Sequence, residues 1–136
     1  MDYIEKCLWE YQENKFAVKA LKDEISDLTS ANTQDYQYHG EKTGWVSDPV
    51  ERTFSRKNVL EKKIKHLERV IKSVEGFIDS LIYDDIRTQQ FREILKLRYF
   101  KHMSINDVED KLAISRSTFY RRCKEIIKLA RKFILE

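Results

Sequence analysis

Apolar residues recur at alternating intervals of three and four along residues 2–29, with Ile4, Tyr11, Val18 and Ile25 in one set of positions and Cys7, Asn14, Leu21 and Leu28 in the other. That is the heptad spacing of a helix that packs along its length on another helix. Leu8, Trp9 and Phe16 widen the stripe at its N-terminal end, which predicts packing on more than one neighbour there. A second heptad runs through Leu60, Ile64, Leu67, Ile71, Val74, Ile78 and Leu81, with Lys57 out of pattern at its start. Between the two, from Thr29 to Ser47, periodicity stops. This polar stretch contains Gly40 and Gly44 and predicts a loop near 30–47, whose Tyr36, Tyr38 and Trp45 are read as folding back onto the helices, with contact to a partner as the alternative. Asp48 then caps the second helix, with Pro49 at its first position and Glu51 completing a capping box. Gly76 sits inside the second heptad, where glycine costs about 1 kcal/mol relative to alanine and leaves room for a bend. Two such helices pair either as a hairpin within one chain or across a dimer.

The pattern changes after Tyr83-Asp84-Asp85, which ends the heptads and offers an aspartate to cap the next helix. Ile86, Phe91, Ile94, Leu95, Leu97 and Phe100 predict a supporting helix. Ser104 answered by Asp107 opens a short helix whose Ile105, Val108 and Leu112 fall on one face. Ala113-Ile114 interrupts it, and Ser115 caps a longer helix carrying Phe119, Cys123, Ile126, Ile127, Ala130 and Ile134 at helical spacing. Two helices joined so closely predict a helix-turn-helix. The chain therefore reads as all-α, with a helical coiled-coil-like region over 1–82 and a helix-turn-helix module over 83–136. One Pro and three Gly among 136 residues, with 36% charged, favour helices over sheet in the same way.

Charge changes the picture by pointing to a partner. Residues 1–83 carry 13 basic and 15 acidic side chains, whereas 84–136 carry 13 basic and 8 acidic, so the overall +3 conceals a basic C-terminal part. Between Ala113 and Lys132 there are seven Lys or Arg and one acid, Glu125. On the face opposite the apolar stripe lie Arg116, Ser117, Tyr120, Arg121 and Lys124. Arginine forks match guanine edges and Ser, Thr and Lys hold phosphates, so this face suits double-stranded DNA. A solvated basic surface helix is the alternative reading of the charges alone.

Other chemistry finds no support. His39, His66 and His102 are scattered, Cys7 and Cys123 have no second ligand at metal spacing, and no glycine-rich phosphate loop is present. Neither an enzyme nor a cofactor is expected. The cysteines read as small buried hydrophobes, Asp84-Asp85 as helix capping, and His102 as a surface residue. No apolar run approaches the roughly 20 residues of a membrane span, and the N-terminus lacks a signal-peptide layout, so the expected place is the cytoplasm, with no membrane partner.

Phe91 to Arg122, FREILKLRYFKHMSINDVEDKLAISRSTFYRR, resembles region four of bacterial sigma factors and the helix-turn-helix of phage late activators of the ArpU and RinA type. The shared features are the helix ending Leu97-Arg98-Tyr99-Phe100, Ser104 opening the next, and Ile114 to Tyr120 opening the recognition helix. Asp48-Pro49-Val50-Glu51 is also similar to what those regulators show. Two positions depart: Glu109 stands where the motif has a small residue at the closest approach of the helices, and Ala113 replaces the turn glycine, so that alanine would need a positive φ.

The resemblance implies DNA contacts from Arg116, Ser117, Tyr120 and Arg121, with Ser115 and Thr118 near the backbone and Lys124 on the same face. It implies a late-gene activator in a bacterial host, acting at a promoter beside RNA polymerase. A homodimer would ask for half-sites about one helical turn apart, while an intramolecular hairpin needs only a single site. The rival expectations are a DNA-recognition subunit of phage packaging and a helical protein-binding adaptor.

Overall fold

The computed structural model of the chain describes residues 1–37 and 49–135, with side chains described over 1–29 and 51–135. Every regular element among them is helical: α1 (Tyr3–Trp9), α2 (Tyr11–Gln37), α3 (Pro49–Ser80), α4 (Ile86–Ile94), a π-helical turn (Leu95–Phe100), α5 (Ile105–Leu112) and α6 (Arg116–Ala130). The all-α expectation holds. The first heptad stretch is two helices, since Glu10 leaves helical geometry while its neighbours keep their backbone bonds, Glu10 N–H to Lys6 O and Asn14 N–H to Glu10 O. Past Thr29, where the apolar pattern ends, α2 runs on to Gln37. Tyr38, Trp45, the Asp48 cap and the side chain of Tyr36, all named from the sequence, lie outside the described residues.

The chain forms two compact units, Lys15–Glu68 and a second made of Met1–Asn14 with Arg69–Glu136. In the first, α2 and α3 lie antiparallel within one chain. Lys22 meets Glu68 at 3.3 Å and, further along α2 but earlier along α3, Glu24 meets Arg56 at 3.0 Å. These exposed pairs contribute little energy. Val18, Leu60 and Ile64 are buried in this unit and Leu21, Ile25 and Leu67 half-covered, so its stability comes from apolar burial. Phe16 does not widen that stripe, since it is 72% exposed.

The second unit owns the main core. Ile4, Cys7, Leu8 and Tyr11 from the N-terminal end, Val74 and Phe77 from the end of α3 with Leu81 just past it, and Phe91, Ile94, Val108, Phe119 and Ile126 belong to one buried cluster. This grouping differs from the 1–82 and 83–136 division read from the pattern. The physical reason is area: helices of eight and fifteen residues bury too little between themselves, and α1 and α3 supply the missing apolar surface. Asp2 caps α1 by accepting the Ile4 N–H at 3.3 Å, and its carboxylate also holds Arg131 at 2.6 Å.

Three expectations for residues 84–100 need correcting. The supporting helix is not uniform. After Ile94 the chain widens into the π-helical turn, with Lys101 N–H bonded to Lys96 O at 3.1 Å and Met103 N–H to Leu97 O at 3.0 Å. Asp85 holds the N-cap position of α4, but its side chain makes no capping bond. Asp84 acts instead: its carbonyl accepts from Gln89 Nε2 at 3.2 Å and its carboxylate pairs with Arg92, which also donates to Leu81 O at 2.7 Å. Ile86, counted as core from its spacing, is exposed in this first turn.

Gly76 lies within α3, and a Cβ built there would meet only Phe133 Cδ1, at 3.8 Å. That is an ordinary contact. Gly76→Ala is therefore expected to raise unfolding free energy by roughly 0.5–1 kcal/mol, the helix-interior cost of glycine. Urea denaturation of the two proteins checks it, and destabilisation by the alanine would mean that Phe133 cannot share the space.

Candidate nucleic-acid interface

Ser104 is the N-cap of α5, its hydroxyl accepting the Asp107 N–H at 3.2 Å, and Val108 is the helix's buried anchor. The helix stops at Ala113, whose φ of 54° and ψ of 46° are left-handed, the conformation the absent glycine demanded. The carbonyl of Glu109 accepts from Ala113 N–H and from Ile114 N–H at 3.2 Å, which closes the turn. Ser115 then caps α6 by accepting the Thr118 N–H at 3.2 Å. Its hydroxyl also donates to Thr118 Oγ1 at 2.9 Å and lies 3.2 Å from Ser117 Oγ. Ser115, Ser117 and Thr118 thus form one polar knot at the start of α6, with Thr118 half-covered.

Phe119, Cys123, Ile126 and Ala130 point inward from α6. Ser117, Tyr120, Arg121, Lys124 and Lys128 are exposed, and steps of three and four put them on one face. Tyr120 stays 48% exposed with its ring edge-on to Phe119 at 5.6 Å between centroids. Among the described residues Arg121, Lys124 and Lys128 form no ion pair, so their charge is available to an outside anion.

The other arginines of this stretch are engaged. Arg122 turns inward, donating to Gln90 Oε1 at 2.8 Å and to Glu125 Oε1 at 3.2 Å, and Glu125 takes Arg87 as well at 3.4 Å. Arg131 holds Asp2. Arg116, expected on the reading face, is exposed but donates from Nε to Glu109 Oε1 at 2.8 Å and from Nη2 to Asn106 Oδ1. The Glu109 hydrogen bond, reinforced by its charge, raises the affinity of this guanidinium for its proton. Spacing alone does not pick out Glu109 and Asn106 as site residues. The one signal is that Glu109 occupies the place of a small residue.

A second set of contacts anchors the motif from α1. Tyr99, buried in the π-helical turn, donates its hydroxyl to Glu5 Oε1 at 3.1 Å. His102, expected at the surface, is half-covered: its imidazole stacks on the Trp9 indole with centroids 3.9 Å apart, and Nε2–H donates to Trp9 O at 2.7 Å. The Arg98 guanidinium lies over the same indole at 4.9 Å and donates to Met103 O at 2.7 Å. His102 has a φ of 57°, so this junction holds a second non-glycine residue in the left-handed region.

Among the described residues no group of three His, Cys, Asp or Glu could hold a metal, and no helix is long and apolar enough to cross a membrane. A family model described as "Protein of unknown function (DUF1492)" matches residues 27–130. The chain belongs to this family. The DUF1492 match runs from within α2 to the last residue of α6, so it takes in α3 to α6 entirely. No curated protein and no solved structure is significantly similar to the chain.

Burial pushes the Cys123 thiol up from 9.0 to about 11, with the neighbouring Tyr99 hydroxyl offsetting part of the effect. Burial likewise raises the Tyr99 phenol and the Cys7 thiol. An unfolded chain ionises these groups first. The neutral thiol of Cys123 therefore stabilises the fold fully below pH 9, and that contribution is lost as pH rises to about 11. Urea unfolding should give a stability that falls across this window, at a slope of up to about 1.4 kcal/mol per pH unit from this group. Cys123→Ala should show a shallower fall, and identical slopes would rule out the thiol as a source.

Proposed function

We propose that the chain is a sequence-specific DNA-binding regulator of transcription, most similar to phage late-gene activators, which lays α6 in the major groove and works beside RNA polymerase. The observation that carries the reading is the outer face of α6. Ser117, Tyr120, Arg121, Lys124 and Lys128 are exposed together on a helix whose start is fixed by the Ser115 cap and the left-handed Ala113, while its inner face is locked into the core. A groove reader needs a small set of fork and hydroxyl donors held at constant spacing, flanked by cations for phosphates. A merely solvated helix needs neither the fixed turn nor cations left without carboxylate partners. No catalytic role is assigned to any residue, and no cofactor is required. The activator role and the polymerase partner rest on the resemblance of Phe91–Arg122 to sigma region four and the ArpU and RinA type regulators.

The pairing of α2 with α3 inside one chain bears on the target. A heptad seam satisfied in this way does not need a second copy to cover it, so a single unrepeated site suffices for recognition.

Selection of bound fragments from a random duplex pool at near-physiological salt tests the proposal. One enriched motif is expected. Arg121→Ala should cost roughly 1–3 kcal/mol on that motif and relax the preference at one position, whereas Lys128→Ala should weaken all duplexes about equally. No enrichment, with binding that collapses steeply with salt, would reassign the chain as a helical adaptor with an incidental basic surface. An enriched motif bound by a ring-like oligomer without effect on transcription would favour packaging recognition.

A further inference from the structure

The cations of α6 do not all face outward in the same sense: Arg122 turns inward, and the first residue, Arg116, turns back towards α5. Arg116 bridges back to α5 through two different acceptors, the Glu109 carboxylate and the Asn106 amide oxygen. Glu109 is the hub of this corner. Its carbonyl takes the two N–H groups that end α5, and its side chain takes the residue that begins α6. One residue thus ties helix, turn and helix together. Its side chain is 18% exposed against 55% for Arg116, so the carboxylate is partly withdrawn from water and Arg116 is its partner. Left alone, that carboxylate would be a negative charge at the start of a surface built for phosphates.

We propose that Glu109 is a positioning residue of the DNA-reading face: acting through Arg116, it sets the approach of α6 to α5, and Arg116 reads no base. Base reading then falls to Ser117, Tyr120, Arg121 and Lys124, further along the helix, with Arg116 neutralising Glu109 and holding Asn106 beside the cap. The inference rests on the DNA-binding reading. It predicts that removing either partner alone is worse than removing both, because each single change leaves a charge uncompensated at the corner, whereas the double change removes both charges and keeps the backbone bonds that residue 109 makes to the turn.

The test is a double-mutant cycle on the intact chain with Glu109→Ala, Arg116→Ala and the double variant. Duplex affinity and the enriched motif are measured for each, with helical circular dichroism and the urea midpoint as controls of folding. Arg116→Ala is expected to lose about tenfold or more in affinity, and the double variant to recover most of that loss with the wild-type motif intact at every position. A double variant as weak as Arg116→Ala, or one that loses preference at a single base pair, would overturn the proposal and return Arg116 to base reading. Should Arg116→Ala unfold, Arg116→Lys keeps the charge without the planar fork, and an unchanged affinity there would also overturn it. If the wild-type chain enriches no motif, the DNA reading fails and the positioning role with it. That outcome is distinct from a failure of the cycle alone.

Discussion

The packing of Ile4 and Leu8 into the same core as Phe119 and Ile126 is the constraint on which the motif depends. A helix-turn-helix is short, and its recognition helix spends one side on solvent. What remains cannot exclude enough water to hold two helices at a fixed angle. Here the deficit is met from distant parts of the chain. The first helix and the last turns of α3 become walls of the motif's core, and polar ties join the apolar ones, with Glu5 on Tyr99, Asp2 on Arg131, and Trp9 in contact with both His102 and Arg98. The hydrophobic term supplies the energy and the polar ties select one docking geometry.

Electrostatics divides the basic residues of this region into two kinds. Arg87, Arg116, Arg122 and Arg131 are spent inside the unit, each on a carboxylate, and Arg122 is the most enclosed of them. Arg121, Lys124 and Lys128 stand off those partners. Counting Lys and Arg along α6 overstates the charge a duplex could use, because partnered guanidiniums already carry a counter-ion within the fold.

Much of this was legible in the sequence. Heptads marked both long helices, and the Ser104 and Ser115 caps fell where polar residues precede apolar spacing. The left-handed turn at Ala113 came from a motif that requires one there. What spacing could not show was partnership across the chain. Ile86 keeps helical register with Phe91 and is still exposed, because register says which face a residue shares and not whether another element arrives to cover it. The union of residues 1–14 with the C-terminal unit escaped for the same reason. His102 read as a surface residue because its stacking partner, Trp9, is ninety-three positions away. The inward turn of Arg116 depends on one carboxylate in α5, and a count of basic residues is blind to it.

The two left-handed residues, His102 and Ala113, bracket α5. Between them the backbone has a fixed number of steps, and each helical step turns the chain by about 100°. Length in this segment therefore acts as a phase. An amino acid exchanged on the outer side of α5, away from Asn106 and Glu109, keeps that phase, but one inserted or deleted within the helix would swing every later α5 side chain around its axis by about 100°. The segment should accept new letters far more readily than a new letter count.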